Sequence, residues 1–244
     1  MITLEGVSKS FDRAVLTDVN LHVPAECLFG LIGPGASGKS LLLRMITGLM
    51  RPDRGKVTVA GQDVLAMGDM QLNEFRKSIG MLFQNNALFD FMTVGENIAF
   101  PLRRLFDLPE AEIDERIAER LARVNLPGFE SRLPAGLSGG QKKRVGVARA
   151  TVMGAPIVLY DEPAAGLDPV TSQKIFDLLR AEQRSAKATV IMVSSDLDRL
   201  LTVTDRVGMM LGGRLIFEGT TEQARDASDP RVHQFVHGTV EGPL

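Results

Sequence analysis

The sequence predicts an α/β protein: a parallel sheet, an antiparallel β region near the N-terminus, and a helical subdomain inserted part-way along the chain. Three observations carry this. Short β-rich runs near the start are interrupted by a glycine-rich loop, Gly33 to Gly38, placed between a strand and a helix. From about Asn85 to Thr151 there is little strand signal. Short apolar runs then return at Ile157 to Tyr160, Thr189 to Val193 and Val207 to Met210, as parallel strands covered on both faces require.

Taken in order, Ile2 to Val7, Val15 to Val23 and Leu28 to Ile32 read as strands. A helix follows from Lys39 to about Gly48, where the glycine suits a C-cap. Val57 to Val59 and Ile79 to Phe83 are two further strands. Glu110 to Val124 is an amphipathic helix, since Ile113, Ile117, Leu121 and Val124 share one face. Gly212-Gly213 marks a hairpin, and Thr220 with Gln223 forms a capping-box pattern for a last helical segment. The expected division is an α/β core over 1–84 and 152–220, a helical subdomain over 85–151, and a C-terminal helical segment and tail over 221–244.

Bulk properties narrow the function. Hydrophobic residues at 44% and charged residues at 24% are globular proportions and argue against disorder. The net charge of -2 supplies no basic excess, so nucleic acid is not an expected partner. The short basic run Lys142-Lys143-Arg144 is expected to be a solvated helix face. The lone Cys27 can form no internal disulfide, which fits a reducing compartment. No signal segment opens the chain, and no apolar run approaches the ~18 residues that span a bilayer. A cytoplasmic protein is expected, with any membrane role exercised through a partner.

Gly33-Pro34-Gly35-Ala36-Ser37-Gly38-Lys39-Ser40 matches the phosphate-loop pattern G-x-x-x-x-G-K-[ST], after a strand and before a helix. Glycines let backbone N–H groups turn inward around phosphate oxygens, and the helix N-terminus adds partial positive charge. Lys39 would reach the β and γ phosphates, and the Ser40 hydroxyl would ligate Mg²⁺. Ile157-Val158-Leu159-Tyr160-Asp161-Glu162 supplies the carboxylates such a loop needs, at the C-terminal end of a strand where ligands gather. Asp161 would hold Mg²⁺ through water, and Glu162 would orient or deprotonate the attacking water.

Between those motifs stands Leu137-Ser138-Gly139-Gly140-Gln141, the signature of ABC ATPase domains, which the chain resembles over nearly its whole length. The resemblance implies a P-loop, RecA-like core, with ATP and Mg²⁺ as cofactors and hydrolysis coupled to transport. It also implies that Ser138, Gly139, Gly140 and Gln141 face the γ-phosphate bound by a second copy of the chain, in an ATP-sandwich dimer. Ser138 and the following N–H groups precede a predicted helix, an anion site without a phosphate in its own half. A transmembrane permease is the implied partner, with the chain peripheral on the cytoplasmic face of the inner membrane. Phe11 matches the aromatic that stacks on adenine, or is a core phenylalanine. Gln84 matches the glutamine linking metal and water to the helical insertion. Asp168 matches the loop that touches the opposite subunit, and it also suits an N-cap before Pro169.

One position departs from the pattern. Where ABC ATPases carry a histidine after the following strand, this chain reads Val193-Ser194-Ser195-Asp196, which puts Ser195 in the catalytic histidine's place. His22, His233 and His237 lie outside that motif.

A narrower resemblance, to the Mla/Mce-type lipid transporters, rests on Phe83 to Asp90 and on Asp229 to Phe235. It implies lipid transport between bacterial membranes and an MCE-type lipid-binding protein in the complex. Asn85 to Phe100, rich in apolar and aromatic residues, is expected to line a groove for a helix of the permease. The alternatives are a soluble ABC ATPase of the iron–sulfur assembly type and an importer subunit for another substrate.

Overall fold

A computed structural model describes residues 1–244, and the chain forms two compact units: Met1–Gly68 with Thr189–Leu244, and Asp69–Ala188. The first unit opens with β1 (Ile2–Ser10), β2 (Ala14–Val23), β3 (Leu28–Ile32), α1 (Lys39–Ile46), β4 (Arg54–Val59) and the short β5 (Gln62–Asp63). The second unit holds α2 (Asp69–Arg76), β6 (Ile79–Leu82), α3 (Val94–Leu105), α4 (Glu110–Arg123), α5 (Gly139–Thr151), β7 (Ile157–Asp161) and α6 (Pro169–Ala186). The chain then returns to the first unit through β8 (Thr189–Val193), α7 (Leu197–Val203), β9 (Arg206–Leu211), β10 (Arg214–Thr220), α8 (Thr221–Arg225) and α9 (Pro230–His237).

In the first unit an antiparallel sheet runs β2-β1-β4-β5, and a second group of strands runs β10-β9-β3-β8. β1 buries Ile2, Leu4 and Val7, a step of two and then three. A register shift between Leu4 and Val7 accounts for the odd step, because an extra residue moves the following side chains to the other face. β3 lies between β8 and β9 and is parallel to both. All five residues of β3 and all five of β8 are buried, so neither run alternates in polarity. The β9–β10 hairpin turns at Gly212 and Gly213, both with positive φ.

In the second unit β6 and β7 pair in parallel, from Ile79 opposite Ile157 to Leu82 opposite Tyr160. Helices α3, α4 and α5 pack on one another. The apolar face of α4 is buried at Ile113, Ile117 and Leu121, with Val124 buried just past its end. The division into units follows compactness rather than helix content, and it groups β6, β7 and α6 with the helices around the 85–151 stretch.

Asn97 on α3 is fully buried and ties down the loop before it. Its Oδ1 accepts from the Phe89 amide at 2.8 Å, and its Nδ2 donates to the carbonyls of Phe89, Met92 and Thr93 at 2.9 to 3.1 Å. Leucine fills a similar volume but offers the Phe89 amide no acceptor and the Met92 carbonyl no donor, whereas the Phe89 and Thr93 carbonyls keep their backbone N–H partners. Asn97→Leu is therefore expected to destabilise the chain by about 2–3 kcal/mol. Thermal melting should show this as a midpoint lowered by roughly 4 to 10 °C.

Candidate nucleotide site

The phosphate loop joins β3 to α1 in the first unit. Its two outer glycines are required by their surroundings. A Cβ on Gly33 (φ 136°) would stand 2.0 Å from the Met210 carbonyl oxygen, and one on Gly38 (φ 99°) would stand 2.4 Å from Leu16 Cδ2. A Cβ on Gly35 would meet nothing within 4 Å, so this part of the loop presents bare backbone to open space. Ala36 holds a left-handed conformation, φ 57°. Ser37 is buried, whereas Pro34 and Ser40 are half-buried. The ammonium of Lys39 lies over its own loop, donating to the carbonyls of Gly33 at 2.8 Å and Pro34 at 2.7 Å and to Ser37 Oγ at 3.3 Å. No side chain caps the N-terminus of α1, which leaves its dipole unopposed where the loop enters the helix.

Two other candidate residues lie in the first unit. Phe11 occupies the turn between β1 and β2 and is 59% exposed, so it is not a core phenylalanine. The ammonium of Lys9 sits 5.6 Å from its ring centroid and is paired to Asp53 at 2.6 Å. Ser195 is exposed between β8 and α7. The loop around it is braced on both sides. Ser194 Oγ accepts from the Asp196 amide at 3.1 Å, and Asp196 binds Arg199 Nη1 at 2.6 Å.

The second unit carries the acids, Gln84 and the signature. Asp161 is the buried last residue of β7, and Glu162 follows half-buried with φ 51°, a left-handed conformation unfavourable for a residue with a side chain. Gln84 is exposed just beyond β6. One side chain joins the Gln84 and Glu162 backbones. Lys143 Nζ donates to the Gln84 carbonyl at 2.7 Å and to the Glu162 carbonyl at 3.1 Å. Burial pushes the Lys143 pKa down, while the Glu162 and Asp161 carboxylates push it back up.

The expectation that Lys142-Lys143-Arg144 forms a solvated face is therefore wrong at its centre. Lys143 is 5% exposed, whereas Lys142 and Arg144 are half-buried. The legible signal lay in helical spacing, since Lys143 stands four residues before Val147 on the buried face of α5.

A reciprocal capping box starts α5. Ser138 Oγ accepts from the Gln141 amide at 3.3 Å, and Gln141 Oε1 accepts from the Ser138 amide at 2.9 Å. A Cβ on Gly140 would come within 2.8 Å of Thr171 Cγ2, and one on Gly139 within 3.5 Å of Leu167 Cδ2. The signature backbone thus lies close to the start of α6. There Asp168 accepts from the amides of Val170 and Thr171 at 3.0 and 2.9 Å, as an N-cap. The Thr171 side chain, with those amides, holds the Asp168 carboxyl below its usual range.

A family model described as ABC transporter matches residues 16–165, more than half of the chain and including both the phosphate loop and the acidic pair. The chain belongs to the ABC transporter family. This ABC subunit binds ATP and hydrolyses it in the service of transport.

Among its relatives, the probable ribonucleotide transport ATP-binding protein mkl of Mycobacterium tuberculosis H37Rv is 38% identical, over the whole of this chain and 68% of the relative. The methionine import ATP-binding protein MetN of Caulobacter vibrioides is 41% identical, over 91% of this chain and 68% of the relative. The intermembrane phospholipid transport system ATP-binding protein MlaF of Haemophilus influenzae is 35% identical, over 97% of this chain and 89% of the relative. Among solved structures, the dimeric MJ0796 cassette in a post-hydrolysis state with ADP and Pi is 30% identical, with TM-score 0.84, over 91% of this chain and 99% of that one. These likenesses establish the P-loop ABC cassette fold. No helix of the ABC subunit is long and apolar enough to cross a membrane.

Proposed function

We propose that the ABC subunit powers lipid transport, with phospholipid as the cargo class, by closing in pairs over two ATP molecules and reopening on hydrolysis. The observation that carries the lipid reading is the similarity to the MlaF relative along nearly the full length of both chains. The Phe83 to Asp90 and Asp229 to Phe235 segments support it. Pairing is supported by the dimeric state of the MJ0796 cassette. In the proposed nucleotide core, 1–84 with 152–220, Phe11 stacks on adenine while the amides of Gly33 to Ser40 and the Lys39 ammonium take the phosphates. The helical subdomain over 85–151 brings Ser138, Gly139, Gly140 and Gln141 to the partner's γ-phosphate, and Asp168 meets the partner beside them. Residues 221–244 form a C-terminal extension.

The donors suit magnesium. No cluster of three or more His, Cys, Asp or Glu side chains gathers to cage a metal. The candidates are instead hard oxygens: the Ser40 hydroxyl, the Gln84 amide and the Asp161 carboxylate. Mg²⁺ bound this way takes its remaining ligands from phosphates and water. It would neutralise charge building on the phosphates. Glu162 then takes or directs the proton of the attacking water, Gln84 holds that water in line, and Ser195 supplies a hydroxyl donor.

A second reading, import of methionine or another small solute, is favoured by the 41% identity to the MetN relative. Isolation of the native complex, with mass spectrometry of its proteins and bound small molecules, separates the two. The lipid reading expects a permease, an MCE-type protein and co-purifying phospholipid. A solute-binding protein with no lipid would replace it by the importer reading. The permease is proposed to dock on the aromatic group Phe89, Phe91 and Phe100, whose neighbouring ring centroids lie 5.8 and 4.8 Å apart. Phe91 is 78% exposed, so Phe91→Asp should release the permease from the same preparation without unfolding the chain.

A further inference from the structure

Helix α5 does more than present the signature. From its first turns Lys143 reaches the backbones of Gln84 and Glu162, segments far apart in the chain, and Arg149 grips the first of them again. The Arg149 guanidinium donates to the Ala87 carbonyl at 2.7 Å and to the Asn86 carbonyl. Asn86, Ala87 and Glu162 all hold left-handed conformations, φ 60°, 48° and 51°. Such backbone persists only where the surroundings over-determine it. Here the surroundings are cations aimed at carbonyls. A buried ammonium is costly where methionine would fill the space without that cost, so the charge at Lys143 calls for a role beyond packing.

We infer that Lys143 is a positioning residue for ATP hydrolysis, tying the Gln84 and Glu162 backbones to the signature helix so that both side chains meet the attacking water in one geometry. This rests on the reading of Glu162 as the group that acts on that water. Lys143 lies outside both the phosphate loop and the signature motif, and the ground-state phosphates are assigned to other residues.

The test compares the purified full chain with Lys143→Met, Lys143→Arg, Glu162→Gln and the Lys143→Met/Glu162→Gln double variant, by ATP affinity and by single-turnover hydrolysis. Lys143→Met should lower the hydrolysis rate about tenfold or more with ATP affinity within about threefold of wild type. Lys143→Arg, which keeps a donating cation, should recover most of the loss. In the Glu162→Gln background Lys143→Met should add less than about a threefold further fall, because its effect passes through Glu162. If Lys143→Met cannot be purified, Lys143→Gln, with a neutral donor, should give an intermediate rate and unchanged affinity.

Three results would overturn the inference. They are a wild-type rate without Lys143, parallel losses of rate and affinity that arginine does not recover, or fully additive losses in the double variant. A Glu162→Gln protein that hydrolyses ATP at the wild-type rate would instead overturn the reading of Glu162 itself.

Discussion

Glu162→Gln is expected to lower ATP turnover by about 10²-fold or more while leaving ATP affinity close to wild type. The carboxylate follows the last residue of a buried strand, with its backbone held by a buried lysine. Glutamine keeps the size and one oxygen of glutamate but cannot accept the proton of the attacking water. The phosphates are expected to stay with Lys39 and the loop amides, so the loss should fall on the chemical step. Blocking that step should also trap the closed pair. Light scattering on the variant with saturating ATP and Mg²⁺ should report a dimer, whereas the chain without nucleotide should be largely monomeric. A variant that remains monomeric under those conditions would count against the two-chain sandwich.

Ser195→His is expected to raise turnover, by at least about tenfold, without tightening ATP binding. A well-placed donor to developing negative charge is typically worth ~10²–10³ in rate. A serine hydroxyl ends one carbon from the backbone and falls several bond lengths short of an imidazole N–H. The loop has room for the change, because Ser195 is exposed. Steady-state ATPase rates of both forms, alone and with the permease, decide the matter. A wild-type rate equal to or above that of Ser195→His in both settings would make Ser195 a working replacement, bridged by water or completed by the partner.

The architecture was legible where side-chain pattern and backbone need coincide. Leu28 to Ile32 and Thr189 to Val193 match strands residue for residue, because strands buried on both faces read as near-continuous apolar runs. The caps at Asp168 and Thr220 were equally readable, since each pairs a short polar side chain with orphan helix amides. Three helices escaped, α2, α3 and the seven-residue α7, which is too short to show an apolar period. α2 exposes most of its residues, and α3 carries Pro101 and a buried asparagine on its inward face, which blurs the apolar period. The run Asn85 to Phe100 proved mixed: Val94 and Ile98 are core, whereas Phe91 faces solvent. Lys143 departs from the expected solvated face for a related reason. Its burial is legible in its spacing before Val147, but its role is not, because carbonyl partners leave no trace in residue identity.

The placement of β3 has a consequence for synthesis. Leu28 to Ile32 emerges early from the ribosome, yet its neighbours, Val190 to Val193 and Arg206 to Met209, are encoded about 160 residues later. At bacterial-type translation rates of about 5–20 residues per second, that strand waits roughly ten to thirty seconds for its partners. Throughout that interval the nascent chain carries four apolar side chains and a glycine with unsatisfied edges, the kind of segment that pairs with other chains when left open. The intervening Asp69–Ala188 unit contains β6 and β7, which pair with each other within it. Growth conditions that slow translation or deplete chaperones should therefore cost this protein yield before they cost it activity, because each chain that does finish still closes β3 between the same two strands.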